Sequence, residues 1–223
     1  MFPGEQSSLS DHLAWFSVDQ PTIARVMREL TARGADAADL YFQYSRDNSI
    51  TMEDGLISRA SSSVDQGVGP LVVVGDQTGY AFTEDLSLEA MLAAARTAAS
   101  IAHSGGARGP VDFKHGARPS YYTLRQPWSE VQTVQKLPRV EHLAALARKG
   151  APSIQKVTVS WADGEELVLI ADMHGNIQTD VRPMTRLWCM VTAKKGEVTQ
   201  SNSANLAGRH GFEWYTDERL QFL

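Results

Sequence analysis

Leu40-Tyr-Phe-Gln-Tyr-Ser-Arg-Asp-Asn-Ser-Ile-Thr-Met-Glu-Asp-Gly-Leu-Ile-Ser-Arg-Ala-Ser-Ser63 decides the fold. Its apolar residues recur with period two, the spacing of a half-buried strand, and not with the spacing of a helix. Two turn-forming pairs punctuate it, Asp47-Asn48 and Asp54-Gly55, and so predict three strands, 40–46, 49–53 and 56–63. Upstream, Ile23, Val26, Met27 and Leu30 fall at i, i+3, i+4 and i+7, a helix that opens near Pro21 and stops by Gly34. Downstream, segments 69–74 and 78–82 continue the sheet across Gly75-Asp76-Gln77. The alanine-rich stretch 86–101 is a second helix, with Asp85 or Ser87 as its N-cap. The first eighteen residues read as irregular, with Trp15 and Phe16 as docking side chains.

Beyond this unit, the run from His103 through Gly105-Gly106 to Pro110 has no periodicity, and 119–122 reads as an extended segment. A helix follows from Ser129 to about Lys149, broken or restarted at Pro138, with Ser129 and Gln132 as a capping box. Then come strands at 154–161, 166–172, 175–181, 186–192 and 197–202, with turns at Asp163-Gly164, His174-Gly-Asn176 and Lys194-Lys-Gly196. Thr216 with Asp217 and Glu218 reads as the capped start of a helix, leaving a docked tail and a longer helix both open. The expected fold class is α+β: antiparallel sheets with flanking helices, an amino-terminal α/β unit followed by a second strand-rich unit. The expected organisation is a first unit over 1–103, a linker over 104–128, and a helix plus antiparallel strands over 129–223.

The 223 residues suffice to bury roughly 70% of the unfolded surface, so the chain needs no disulfide or metal to fold. A hydrophobic content of 43% with 21% charged residues is globular. A net charge of -5 argues against a general nucleic-acid binder. The single cysteine excludes a disulfide framework and suggests a reducing compartment. No apolar run reaches the ~18–20 residues of a membrane span, and the first residues have no basic and apolar leader, so a cytoplasmic location is expected.

Local motifs assemble no catalytic centre. The six histidines include no pair at i and i+4 with an intervening glutamate. His210-Gly-Phe-Glu213 reads as a solvated loop, and His142, beside Glu141, as a helix surface. Ser61-Ser62-Ser63 reads as a polar strand face, Gly67-Val-Gly69 as the entry to a buried strand, and Cys189 as an inert buried thiol. No catalytic and no metal-ligating residue is assigned. The most unusual polar cluster is Asp180-Val-Arg-Pro-Met-Thr-Arg186. On an extended segment Asp180, Arg182, Met184 and Arg186 share one face. Either they form an internal ion-pair network, or an arginine there anchors a peptide carboxylate or backbone.

Several stretches together resemble the TldD/PmbA family, once labelled modulators of DNA gyrase. They are 34–43, Met52-Glu-Asp-Gly55, Asp65-Gln-Gly-Val-Gly69, 75–82 with Asp85-Leu-Ser87, Leu167-Val-Leu-Ile-Ala171, Asp180-Val-Arg-Pro183 with Arg186-Leu187, and Gly208-Arg-His-Gly-Phe-Glu213. The resemblance covers the family's amino-terminal half. It implies a zinc metallopeptidase that acts on small unfolded peptides, leader peptides included, as a heterodimer with a TldE/PmbA-like subunit. The family's metal site, a His-Glu-x-x-x-His helix completed by a cysteine, lies beyond the point matching Leu223. No residue of this chain inherits it, so zinc is expected of the full-length family protein and not of these residues. Asp180, Arg182, Arg186, Gly208 and Arg209 are the candidates for peptide binding or subunit contact. In place of the family's glycine run stands Ala204-Asn-Leu-Ala207, and Pro70 follows Gly69. The other reading is a stand-alone, non-catalytic peptide-binding or scaffold protein.

Overall fold

The computed structural model describes residues 7–102, 113–116, 121–122 and 124–223. The fold is α+β: long antiparallel strands with flanking helices. In chain order the elements are α1 (Leu9–Trp15), α2 (Gln20–Leu30), β1 (Ala37–Glu53), β2 (Leu56–Val74), β3 (Gln77–Tyr80), α3 (Leu88–Ile101) and β4 (Lys114–His115). A 3-10 turn (Trp128–Glu130), α4 (Thr133–Lys149), β5 (Ile154–Asp172), β6 (Asn176–Lys195), β7 (Val198–Gly208), a second 3-10 turn (Phe212–Trp214) and α5 (Asp217–Leu220) follow. The strands pair in the order β3-β2-β1-β5-β6-β4, and β7 also pairs with β6. Met173 N–H donates to Ala38 and Asp54 N–H to Val157, a register only antiparallel β1 and β5 produce.

Contacts divide the chain into two compact units interleaved in sequence, one of 1–45, 65–121 and 166–181, the other of 46–64, 122–165 and 182–223. β1, β2, β5 and β6 each contribute a stretch to both.

In the first unit, α2 buries Ile23, Val26, Met27 and Leu30, the stripe its sequence spells, and Asp19 caps it by accepting the Thr22 N–H at 2.8 Å. Ser87 caps α3, and Ala94, Ala95, Ala98 and Ala99 are buried along that helix. Those alanines allow close approach: a Cβ on Gly79 of β3 would collide with the Ala98 carbonyl. Phe82 and Tyr80 lie over Gly67 and Gly69, which mark a buried strand entry as expected. The expectation of an irregular start is corrected by α1, whose capping box joins Ser8 and Asp11. Expectations for 1–6 and for His103, and most of the linker, at 104–112, 117–120 and 123, lie outside the described residues. In the described part of that segment Lys114 and His115 pair parallel with Asn176 and Ile177.

In the second unit α4 buries Lys136, Val140 and Leu143, and α5 is capped by Thr216 as its sequence announces. The expected break at Pro138 does not occur. Pro138 sits in the helix's second turn and forgoes the bond to the Val134 carbonyl, a cost that burial of Lys136, Val140 and Leu143 on either side of it outweighs. The Asp54-Gly55 turn is real, both residues having positive φ (49° and 85°), as a tight hairpin requires. The turns expected at Asp47-Asn48 and Asp163-Gly164 are not: β1 and β5 run straight through them.

Candidate functional site

Both misread turn pairs belong to one place. In the β1–β5 register Asp47 stands opposite Gly164 and Asn48 opposite Asp163. Asn48 Nδ2 donates to Asp163 Oδ1 at 3.1 Å, so what looked like loop chemistry ties two strands together. On the opposite face of the sheet, a Cβ on Gly164 would collide with the Asp47 carboxylate. The glycine is there because that carboxylate lies over its backbone.

Asp163 is the anchor. Its side chain is fully buried, Lys136 Nζ lies 2.6 Å from Oδ2, and Trp161 Nε1 donates to the same oxygen at 2.8 Å. The ammonium also lies 5.6 Å from the centre of the Trp128 ring. Glu165 continues the network: its carboxylate accepts the N–H groups of Trp128 and Ser129, which begin the 3-10 turn. Burial raises the Glu165 carboxyl above the usual range, against the lowering effect of those bonds. Thr185 hydroxyl bonds the Ala162 carbonyl and the Tyr215 hydroxyl, and burial pushes Tyr215 up to about 12.

Over this anchor the second unit opens a polar cavity of about 200 Å³, with Asp47, Ser49, Ser61, Ser63, Met184 and Arg186 on its wall. Ser49 and Ser61 hydroxyls lie 2.7 Å apart. Burial, and then the Asp163 charge, hold the Asp47 carboxyl above its ordinary value. A larger cavity in the same unit, about 380 Å³, is walled by residues such as Leu143, Ile154, Cys189 and Val191 and offers little polar chemistry. Burial raises the Cys189 thiol, which leaves it protonated and inert.

β6 alternates as its sequence implies: Val181, Thr185, Leu187 and Cys189 are buried, while Met184 is 52% exposed and Arg186 exposed. Arg186 reaches the polar cavity. Arg182 shares its strand and its parity, and Asp180 lies in the first unit, where it acts electrostatically on His12. Gly208 pairs with Thr185 at the end of β7. Arg209 stacks its guanidinium 5.0 Å from the Tyr122 ring centre. The stretch 204–207 is regular ladder, opposite 186–189. His210 is not a loose loop residue: its ring stacks on Trp214 at 4.3 Å and its carbonyl accepts Trp128 Nε1–H. Missed at the sequence level were Lys136, Asp163 and Glu165. A lysine in an amphipathic helix and carboxylates beside a glycine carry no local sign of burial. The one available signal was period two persisting on both sides of Asp163.

Among the described residues no three His, Cys, Asp or Glu side chains are grouped to hold a metal ion. No helix of the described residues is long and apolar enough to cross a membrane.

Two family models match this chain: the PmbA/TldA metallopeptidase domain 1 over 38–102 and the PmbA/TldA metallopeptidase central domain over 126–222. A metalloprotease TldD homolog of Haemophilus influenzae is 29% identical over 196 residues, 87% of this chain and 41% of the relative. A metalloprotease of Methanothermobacter thermautotrophicus is 25% identical over 92% of this chain and 44% of its own. The chain thus spans less than half the length of these relatives. Among solved structures, TldE from Thermococcus kodakarensis superposes with a TM-score of 0.64 at 17% identity, over 84% of this chain and 43% of that one. A candidate modulator of DNA gyrase from Bacteroides thetaiotaomicron gives 0.69 at 18%, over 85% and 45%. At those identities the structures speak for the fold alone. The two domain matches cover most of the chain and every long strand, and the chain belongs to the PmbA/TldD metallopeptidase family.

Proposed function

We propose that this chain supplies the first and central domains of a TldD-like zinc metallopeptidase that degrades or processes small unfolded peptides, leader peptides among them. The observation that carries this reading is the pair of domain matches, first then central, with a TldD homolog aligned over 87% of the chain. The zinc belongs, in this reading, to a further domain, since the chain spans less than half the length of the metalloprotease relatives it matches. The working enzyme is a cytoplasmic heterodimer with a TldE/PmbA-like subunit.

Within that enzyme these domains hold the peptide and meet the partner. Arginines on a strand can take peptide carbonyls or a carboxylate through paired N–H donors, which makes the half-buried Arg182 and the exposed Arg186 peptide-binding candidates. Asp180, Gly208 and Arg209 complete the candidate set at the subunit or peptide surface. An extended substrate gains backbone hydrogen bonds at a strand edge with little demand on its sequence, which suits an enzyme for unfolded peptides.

The test is hydrolysis of an unstructured peptide by the complete gene product purified with its TldE/PmbA-like subunit. EDTA should abolish turnover and zinc should restore it; activity that survives the chelator contradicts the zinc assignment. Arg182→Ala should raise KM more than it lowers kcat, and unchanged constants remove Arg182 from the peptide path.

A further inference from the structure

The polar cavity of the second unit carries two opposite charges that the fold itself does not use. Among the described residues neither the Asp47 carboxylate nor the Arg186 guanidinium makes a hydrogen bond or ion pair. Both lie on the wall of a space of about 200 Å³, sufficient for one small amino-acid residue. Three hydroxyls, on Ser49, Ser61 and Ser63, share that wall, and Met184, 52% exposed, gives it an apolar patch. Gly164 leaves room for the Asp47 carboxylate, since a Cβ there would collide with it. The neighbouring Asp163 charge is already matched by Lys136 at 2.6 Å, so Asp47 is the carboxylate left to meet a ligand.

We propose that this cavity binds the free amino terminus of an extended peptide. Asp47 receives the terminal ammonium, seryl hydroxyl oxygens accept hydrogen bonds from its remaining N–H groups, and Arg186 donates to the first carbonyl oxygen, with Met184 against the first side chain. The ligand chemistry is a primary ammonium beside a carbonyl group. Burial and the Asp163 charge both disfavour the ionised Asp47 carboxyl, and a bound ammonium offsets them by favouring the charged form. A lysine side chain offers the same ammonium without the adjacent carbonyl and leaves Arg186 unused. The proposal draws on the peptidase reading only for the choice of a peptide as ligand.

The experiment needs no catalysis, so its failure and that of the peptidase reading are distinguishable. The isotope-labelled 223-residue chain is titrated with trialanine, N-acetyl-trialanine and N-acetyl-lysine amide, and the amides of Ser49, Ser61, Gly164 and Arg186 are followed by NMR. Trialanine should shift these amides saturably. The acetylated peptide should bind at least about tenfold more weakly, the scale of one charge-assisted contact. Asp47→Asn should weaken trialanine to the same extent, and Gly164→Ala should do so with Asp47 still present. Equal binding of the acetylated peptide, a lysine probe as good as trialanine, shifts mapping elsewhere, or no binding would overturn the proposal. The blocked peptide on the unaltered chain decides the matter even where a variant fails to fold.

Discussion

The first unit fills its core with aliphatic side chains and alanines around Phe16 and Phe42, whose rings lie 5.6 Å apart. The second packs Trp128, Trp161 and Tyr215, with ring centres 5.9 and 4.5 Å from Trp161, and sets Lys136, Asp163 and Glu165 among them. An apolar core loses stability in increments as atoms are removed. A buried charge network behaves as one object, because removing either partner strands the other in a low-dielectric interior. The two halves of one chain should therefore fail in different ways.

The largest expected effect breaks the second unit. Lys136→Met removes the ammonium and leaves the Asp163 carboxylate buried with only the Trp161 and Asn48 donors, at a cost of about 3–5 kcal/mol. Urea denaturation followed by tryptophan fluorescence reads this unit well, since Trp128, Trp161, Trp188 and Trp214 all lie in it. A midpoint indistinguishable from the unaltered chain would remove the network from the account. A smaller effect probes the first unit. Gly79→Ala drives a methyl group into the Ala98 carbonyl of α3 and should cost about 1–3 kcal/mol through local displacement. Amide exchange along α3 should speed up, and unchanged exchange would mean that the helix yields at no cost.

The smallest effect concerns pH. His12 is buried in α1; Nδ1 lies 3.0 Å from the Ser8 carbonyl, and Nε2 has no hydrogen-bond partner among the described residues. Burial lowers its pKa above all, the Ser8 carbonyl raises it, His115 lowers it, and Asp11 and Asp180 raise it. As pH falls the unfolded chain takes up this proton first. The stabilisation is thus complete above the ordinary imidazole value of about 6.5 and is lost as pH drops through the lower folded value. His12→Gln should flatten the acid dependence of exchange in α1, and an unaltered dependence would assign it to other groups.

The same contrast separates what the sequence shows from what it conceals. The α2 stripe, the Ser87 and Thr216 caps and the Asp54-Gly55 hairpin are local, each specified within a few residues, and each was legible. Asp47-Asn48 and Asp163-Gly164 use turn-forming residues inside strands, because a polar pair there meets another across the sheet, 115 residues away for Asn48 and Asp163. Propensity says nothing of a partner so distant, so both pairs read as turns in the sequence. The interleaving of the units has the same origin: strands of 17 to 20 residues pass from one unit to the other, and no composition change marks the passage. Of the candidate site, the shared parity of Arg182, Met184 and Arg186 followed from strand alternation. The cavity that Arg186 reaches did not, since Asp47, Ser61 and Gly164 come to it from three different strand segments.

The most direct test of the claim that one buried network holds the second unit is residue-resolved hydrogen exchange on Lys136→Met beside the unaltered chain. The account predicts that protection collapses in 46–64, 122–165 and 182–223, while α2 and α3 keep theirs. Loss spread evenly over both units, or protection preserved around Asp163, would contradict it.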